Sequence, residues 1–303
     1  MIRRVVPLAF DSFGVRSMAT FVETDNQKIL IDPGVSLAPL RYGLEPHPLE
    51  WRRLDETWET IKQYARESDV LIVTHYHYDH HDPGYPELYR GKITLIKHPT
   101  QNINFSQKER AAAFLAAVKS LPRKLEVADG REFQLSGDTI NFSQAVCHGT
   151  NPRLGYVIEV SIHSNGEKFL YTSDVEGPSL EEQIKFILEE KPSILFVDGP
   201  MTYMLGYRYS FRSLENSTNN LIRAIEETGL HTLVLDHHLL RDLNYKNRLK
   251  PVYIKAEERN VRVITAAEFA GRKIEMLEAL RKELYAKYGE APFEVRKRPL
   301  KEE

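Results

Sequence analysis

Short apolar runs alternate along this chain with longer stretches in which apolar positions recur every three or four residues, so both strands and helices are expected. Residues 3–10 read as a first strand, and 16–24 with 27–31 as a hairpin turning at Asp25-Asn26. Residues 35–54 carry Pro39, Pro46 and Pro48 without a clear period and read as a long loop, in which Trp51 serves packing. Residues 55–67 read as a helix, with Trp58, Ile61 and Tyr64 three apart, leading into the buried strand Val70-Leu71-Ile72-Val73. Further on, 93–97 is a strand and 106–121 an Ala-rich helix with Ser106 as cap and Glu109 three residues later. Residues 125–127 and 139–146 are strands, with turns at Asp129-Gly130 and Ser136-Gly137, and 155–161 pairs with 169–172 around Asn165-Gly166. The second half alternates more regularly. Helix 179–190, capped by Ser179 and Glu182, precedes strand 194–197; helix 214–228 precedes strand 232–235; residues 242–259 are helical with a break at Pro251. Strand 261–264 leads to a last helix, 265–288, capped by Thr265 and Glu268, and a charged tail at 292–303. Strands dominate early and αβ alternation late, with no linker between. The expectation is one domain over 1–303 of mixed α/β (α+β) class: two mixed sheets with helices outside, four layers in all.

Composition leaves that picture standing. The 303 residues are 42% hydrophobic and 28% charged, ordinary for a soluble globular chain. A net charge of −2 gives no global electrostatic case for nucleic acid, and Arg296-Lys297-Arg298 is too short to make one. The lone Cys147 excludes an intramolecular disulfide and suits a reducing cytoplasm. Asp11 interrupts the apolar start too early for a signal peptide, and no apolar run approaches the ~20 residues of a membrane helix. A cytoplasmic protein with a small-molecule partner is expected, off the membrane, with nucleic acid disfavoured and a homo-oligomer left open.

The chemistry sits in Thr74-His75-Tyr76-His77-Tyr78-Asp79-His80-His81, directly after the buried strand. Residues two apart in an extended segment point the same way, which groups His75, His77 and Asp79, with His80 and His81 on the turn beyond. Imidazoles and a carboxylate suit zinc and its divalent neighbours. Three later strands also end on candidate ligands: Cys147-His148, Ser173-Asp174 and Asp236-His237. Each alone would be unremarkable; their joint order is hard to obtain by chance.

The pattern His-x-His-x-Asp-His, then His, Asp and His, resembles the metallo-β-lactamase superfamily, and in detail an archaeal group of metal-dependent hydrolases within it. The resemblance runs from about Val5 to about Ile264. It implies an αββα sandwich with two divalent ions in the cleft between the sheets, zinc first, with manganese, iron or nickel as alternatives. One metal would be held by His75, His77 and His148, the other by Asp79, His80 and His237, with Asp174 bridging. Asp32, before Pro33-Gly34, would orient the metal loop, and Asp236 an imidazole. His237 is chosen over His238 as the first histidine after its strand. His81 stands where the pattern usually has glycine and reads as an outward, solvated ring. The implied reaction is attack by a metal-bound hydroxide on a small ester, lactone or thioester, with Asp174 or Asp79 shuttling the proton. The alternatives are a phosphodiesterase or nuclease on the same fold, and a non-catalytic metal-binding or regulatory protein. Tyr207, Arg208 and Arg212, in an aromatic and basic loop after a strand, are candidates for holding the substrate.

Overall fold

In the computed structural model, which describes residues 1–289, six strands pair in chain order to make a first sheet. They are β1 (Ile2–Pro7), β2 (Thr20–Thr24), β3 (Lys28–Ile31), β4 (Val70–Val73), β5 (Ile93–Ile96) and β6 (Lys124–Val127). β1 to β3 are antiparallel and β3 to β6 parallel. Next come β7 (Glu132–Leu135) and β8 (Asp138–Phe142), then a small ribbon of β9 (Val146–Cys147) with β10 (Tyr156–Val157). β11 (Val160–Ser164), β12 (Glu167–Tyr171), β13 (Ile194–Asp198), β14 (Thr232–Asp236) and β15 (Arg262–Ile264) complete a second sheet. Its order is β15-β14-β13-β12-β11-β8-β7, parallel from β15 to β12 and antiparallel beyond.

The two-residue period of the strands divides the core. Val70 and Ile72 of β4 face Phe169, Phe196 and Val234 of the other sheet. Leu71 and Val73 face outward, with Trp58, Ile61 and Phe114 of α1 (Pro48–Glu67) and α2 (Phe105–Val118). On the far side Leu195, Val197, Leu233 and Leu235 pack beneath α3 (Glu181–Glu190), α4 (Phe211–Glu227), α5 (Tyr245–Arg248) and α6 (Lys250–Glu258). Each such side chain contributes roughly 1.5–3 kcal/mol of burial. The result is the four-layer αββα arrangement expected.

Some boundaries differ from expectation for local reasons. α1 begins at Pro48, seven residues before the position that apolar spacing predicts. Its start is set by a cap: Glu50 accepts from the His47 N–H at 2.8 Å, His47 Nδ1 accepts from Leu49 N, and Pro48 fills the first helical position. α2 is capped by Asn104 rather than Ser106, and α3 starts after Ser179. The last helix is interrupted. α7 (Ala266–Phe269) closes at Gly271, φ +65°, with Arg272 N–H bonded to Ala267 O, and the chain crosses to Ser12 before α8 (Arg281–Tyr288). There the buried Arg281 grips both Glu50 oxygens, at 2.7 and 2.8 Å, and donates to the Ala38 and Leu44 carbonyls, closing the 35–47 loop. The tail at 292–303 lies outside the described residues.

Candidate metal centre

Because β3 runs parallel to β4, and β12, β13 and β14 run parallel to one another, their carboxyl ends gather at one edge. Asp32 follows β3 and Thr74–His81 follow β4. Asp174 follows β12, Asp198 ends β13, and His237 and His238 follow β14. Several of these corners use left-handed backbone on ordinary side chains: Asp32 (φ +50°), Ser173 (+58°), Glu176 (+51°) and His237 (+54°).

Two donor sets converge there. The ligand atoms of His75, His77, His148 and Asp174 lie within 4.8 Å of one another, and so do those of Asp79, His80, Asp174 and His237. All are buried, and Asp174 belongs to both sets. Around its carboxylate stand Nε2 of His80 at 2.9 Å, His148 at 3.3 Å, His237 at 3.4 Å and His75 at 3.6 Å. The inner nitrogens of His75, His148 and His237 make no hydrogen bond, although buried polar atoms are normally satisfied.

The outer nitrogens are held from behind. His80 Nδ1 meets Asp32 at 2.8 Å, and Asp32 also accepts from Thr74 N, Thr74 Oγ1 and Tyr171 Oη. His237 Nδ1 meets Asp11 at 2.6 Å, and Asp11 is itself held by Arg241 Nε at 2.8 Å. His148 Nδ1 faces Glu176 at 3.5 Å, and His75 Nδ1 faces Ser173 Oγ at 3.2 Å. His77 Nε2 lies 3.5 Å from the buried Gln107 amide. An Nδ1–H given to a carboxylate leaves Nε2 as a lone-pair donor, which is how a metal-binding imidazole is prepared.

Electrostatics follow this geometry. Burial opposes protonation of His80 and His237, but Asp174, Asp79 and Asp32 around the first, and Asp174 and Asp11 around the second, hold both well above the ordinary imidazole value. Burial and the neighbouring His80 push His75 well below it, against the pull of Asp174. Burial would raise Asp174, yet His80, His237 and His75 keep it ionised. The donors, orphaned nitrogens and an ionised carboxylate all fit divalent cations.

Other candidates are placed differently. Asp236 accepts from the backbone N–H groups of Ser12, His237 and Ala266 instead of orienting an imidazole; the orienting carboxylate for His237 is Asp11. His238 turns its Nδ1 to Asp198, 3.0 Å from both oxygens. His81 is fully buried, not solvated, because its ring packs among Tyr76, Tyr78 and Phe114. Cys147 is a core residue whose thiol burial and Glu182 push up to about 12. Tyr207 and Arg208 line a cavity of about 420 Å³ with His148, Glu176, Asn151, Arg153 and Met201. Arg212 lies outside that lining, exposed in the first turn of α4. Asp11, Glu176, Asp198 and Gln107 were not anticipated. Asp198 ends a strand, and the strand-end rule that marked Asp32 would have found it.

An αββα sandwich with a buried His/Asp cluster at one edge of its sheets defines the metallo-β-lactamase fold. The sequence profile of the β-lactamase superfamily domain matches residues 27–238. A UPF0282 protein of Korarchaeum cryptofilum is 53% identical over 294 residues, covering 97% of this chain and 98% of its own. One of Sulfurisphaera tokodaii is 49% identical, covering 94% and 93%. Among solved structures, Zn2+-bound PqqB from Methylobacterium extorquens is similar with a TM-score of 0.51 at 12% identity, covering 86% of this chain and 97% of that one. Unliganded yeast PDE1 gives 0.50 at 14%, covering 86% and 96%. The chain belongs to the β-lactamase superfamily and, within it, to the UPF0282 proteins. No helix among the described residues is long and apolar enough to cross a membrane.

Proposed function

We propose that this protein is a hydrolase dependent on two divalent metal ions, acting in the cytoplasm on a small ester, lactone or thioester. The observation that carries the reading is the pair of buried donor sets sharing Asp174, with His148 also lining the 420 Å³ cavity. One ion would be held by His75, His77, His148 and Asp174, the other by Asp79, His80, His237 and Asp174. The nitrogen-rich donors favour zinc, the ion bound in the similarly folded PqqB. Bound there, such ions supply an activated nucleophile near neutral pH and polarise the oxygen of the electrophile. The chain's own groups do the rest. Asp32 and Asp11 fix the tautomers of His80 and His237, Glu176 faces His148 Nδ1, and Asp174 or Asp79 takes and returns the proton. The cavity has the volume of a small-molecule site, roughly 300–1,000 Å³ in general, which favours this reading over a polynucleotide substrate.

Metal analysis with a hydrolysis screen tests it. Two equivalents of metal per chain are expected, with turnover of p-nitrophenyl esters, lactones or thioesters that falls to background in His75→Ala and Asp174→Ala. Loss of metal with activity unchanged would overturn the reading, and so would turnover confined to bis(p-nitrophenyl) phosphate.

A further inference from the structure

The cavity beside the metal centre has a charge pattern that the hydrolase reading does not use. Its buried end is His148 with Glu176, which face one another at 3.5 Å. Its open end carries two guanidinium groups, Arg153 and Arg208, with Tyr207 between mouth and solvent at 80% exposure. Among the described residues no carboxylate pairs with Arg153 or Arg208. Among the same residues other exposed arginines, Arg66 and Arg212, also stand without a carboxylate, but Arg153 and Arg208 are the ones that line this cavity. The open end of the cavity therefore has two positive charges that the chain leaves unneutralised.

Both arginines stand on anchored backbone. Arg153 lies in a 3-10 turn whose N–H group at Arg153 is capped by Asn151 Oδ1 at 3.0 Å, and its carbonyl accepts from Asn104 at 3.0 Å. Arg208 lies in a turn where the N–H groups of Tyr207, Arg208 and Tyr209 all reach Met204 O, at 3.0–3.2 Å. Tyr209 is fully buried and pins that turn. The guanidinium groups thus extend from fixed points, which lowers the ordering cost of binding. The planar fork of arginine matches the two oxygens of a carboxylate or phosphate. Leu154 and Tyr207 add exposed apolar and aromatic surface beside them.

We propose that the substrate carries an oxyanion, held by Arg153 and Arg208 at the mouth of the cavity, while its scissile group faces His148 at the buried end. This rests on the hydrolase reading above for what happens at the buried end, but not for the binding of the anion. Two guanidinium groups suit one carboxylate or phosphate, not an extended polyanion.

The test compares the metal-loaded protein on two esters with one leaving group, p-nitrophenyl butyrate and mono-p-nitrophenyl glutarate. A preference for the glutarate of about tenfold or more in kcat/KM is expected, from charge-assisted hydrogen bonds. In Arg153→Gln/Arg208→Gln that preference falls by about tenfold, chiefly through KM, with metal content retained. Arg208→Glu drives it below the preference of the double variant. Calorimetry on metal-free protein gives a second readout: glutarate or phenyl phosphate binds, and binding weakens at least about tenfold in the double variant. Which of the two binds tighter tells carboxylate from phosphate. Equal turnover of both esters, or anion binding that survives in the double variant, overturns the proposal and leaves the hydrolase reading standing. If neither ester is hydrolysed, the calorimetry still decides for or against the anion site.

Discussion

His237 and His238 are neighbours in the chain, yet different carboxylates hold their rings. Asp11 takes Nδ1 of the first and leaves its Nε2 facing Asp174 and Asp79, whereas Asp198 takes Nδ1 of the second. His237→Ala is therefore expected to lose metal from one set, and His238→Ala to keep the full complement, as read by metal content after dialysis. Asp11→Asn keeps the size of the side chain but removes the charge that orients His237. Metal affinity should fall roughly 10–100-fold, measured by competition with a chelator. Asp11 is 226 residues from His237, and nothing in local spacing announces such a partner. Outside the centre, Glu159 is fully buried and neither carboxyl oxygen has a hydrogen-bond partner. Burial, then the charge of Glu182, raises its pKa well above the ordinary 4.5. A raised acid gives stability that is complete below the unfolded value and is lost as pH rises towards the folded one. Stability should then fall above about pH 4.5 by up to about 1.4 kcal/mol per pH unit from this group alone. Glu159→Gln is expected to raise the melting temperature at pH 8 and not at pH 4; an equal shift at both would refute it.

At the level of elements, the first turn of α1 is held by chemistry rather than by hydrophobic period. Arg281 in α8 and Glu50 in α1 form a buried bidentate pair that ties three chain segments together. Removing one partner strands the other charge, so Glu50→Ala should cost roughly 3–5 kcal/mol in urea unfolding. Glu50→Ala with Arg281→Met should recover part of that loss, since neither charge is then buried alone. The helix start is hidden in the sequence because Pro48 looks like a breaker, whereas it is favourable in the first helical position. Read as a start, it brings Trp51 and Leu54 into register with Trp58 and Ile61 on one buried face. Gly271 explains the opposite error: a continuous helical pattern from Thr265 hides a left-handed stop. Strand ends were easier, because an apolar run closing on a histidine or aspartate is visible locally. Tyr207 and Arg208 stood out as an aromatic-basic loop, but Arg153 did not, because only the folded chain brings its turn beside that loop.

Across the whole molecule, the donors come from both sheets. His75 to His80 follow β4 of the first, and Asp174 and His237 follow β12 and β14 of the second. Bound metal would join the two halves of the sandwich. Saturation at 100 times the dissociation constant should stabilise the fold by about 2.7 kcal/mol, and chelation should lower the melting temperature correspondingly. Acid should act like a chelator: His80 and His237 hold protons strongly in the metal-free cluster, so metal affinity falls as pH drops. The αββα layering was legible from the order of apolar runs, since each layer needs only its own pattern. Of the carboxylates behind the imidazoles, Asp32 is marked by its strand end, whereas Asp11 and Glu176 are not, since their pairing with His237 and His148 depends on how the layers are assembled. Asp32, Ser173, Glu176 and His237 each hold a left-handed backbone that a glycine would adopt at lower cost. Each of these corners therefore carries a backbone cost that the side chain's place in the centre outweighs. A lineage freed from the need for those side chains would relax there first, and glycine at those corners would record the loss before any core position changed.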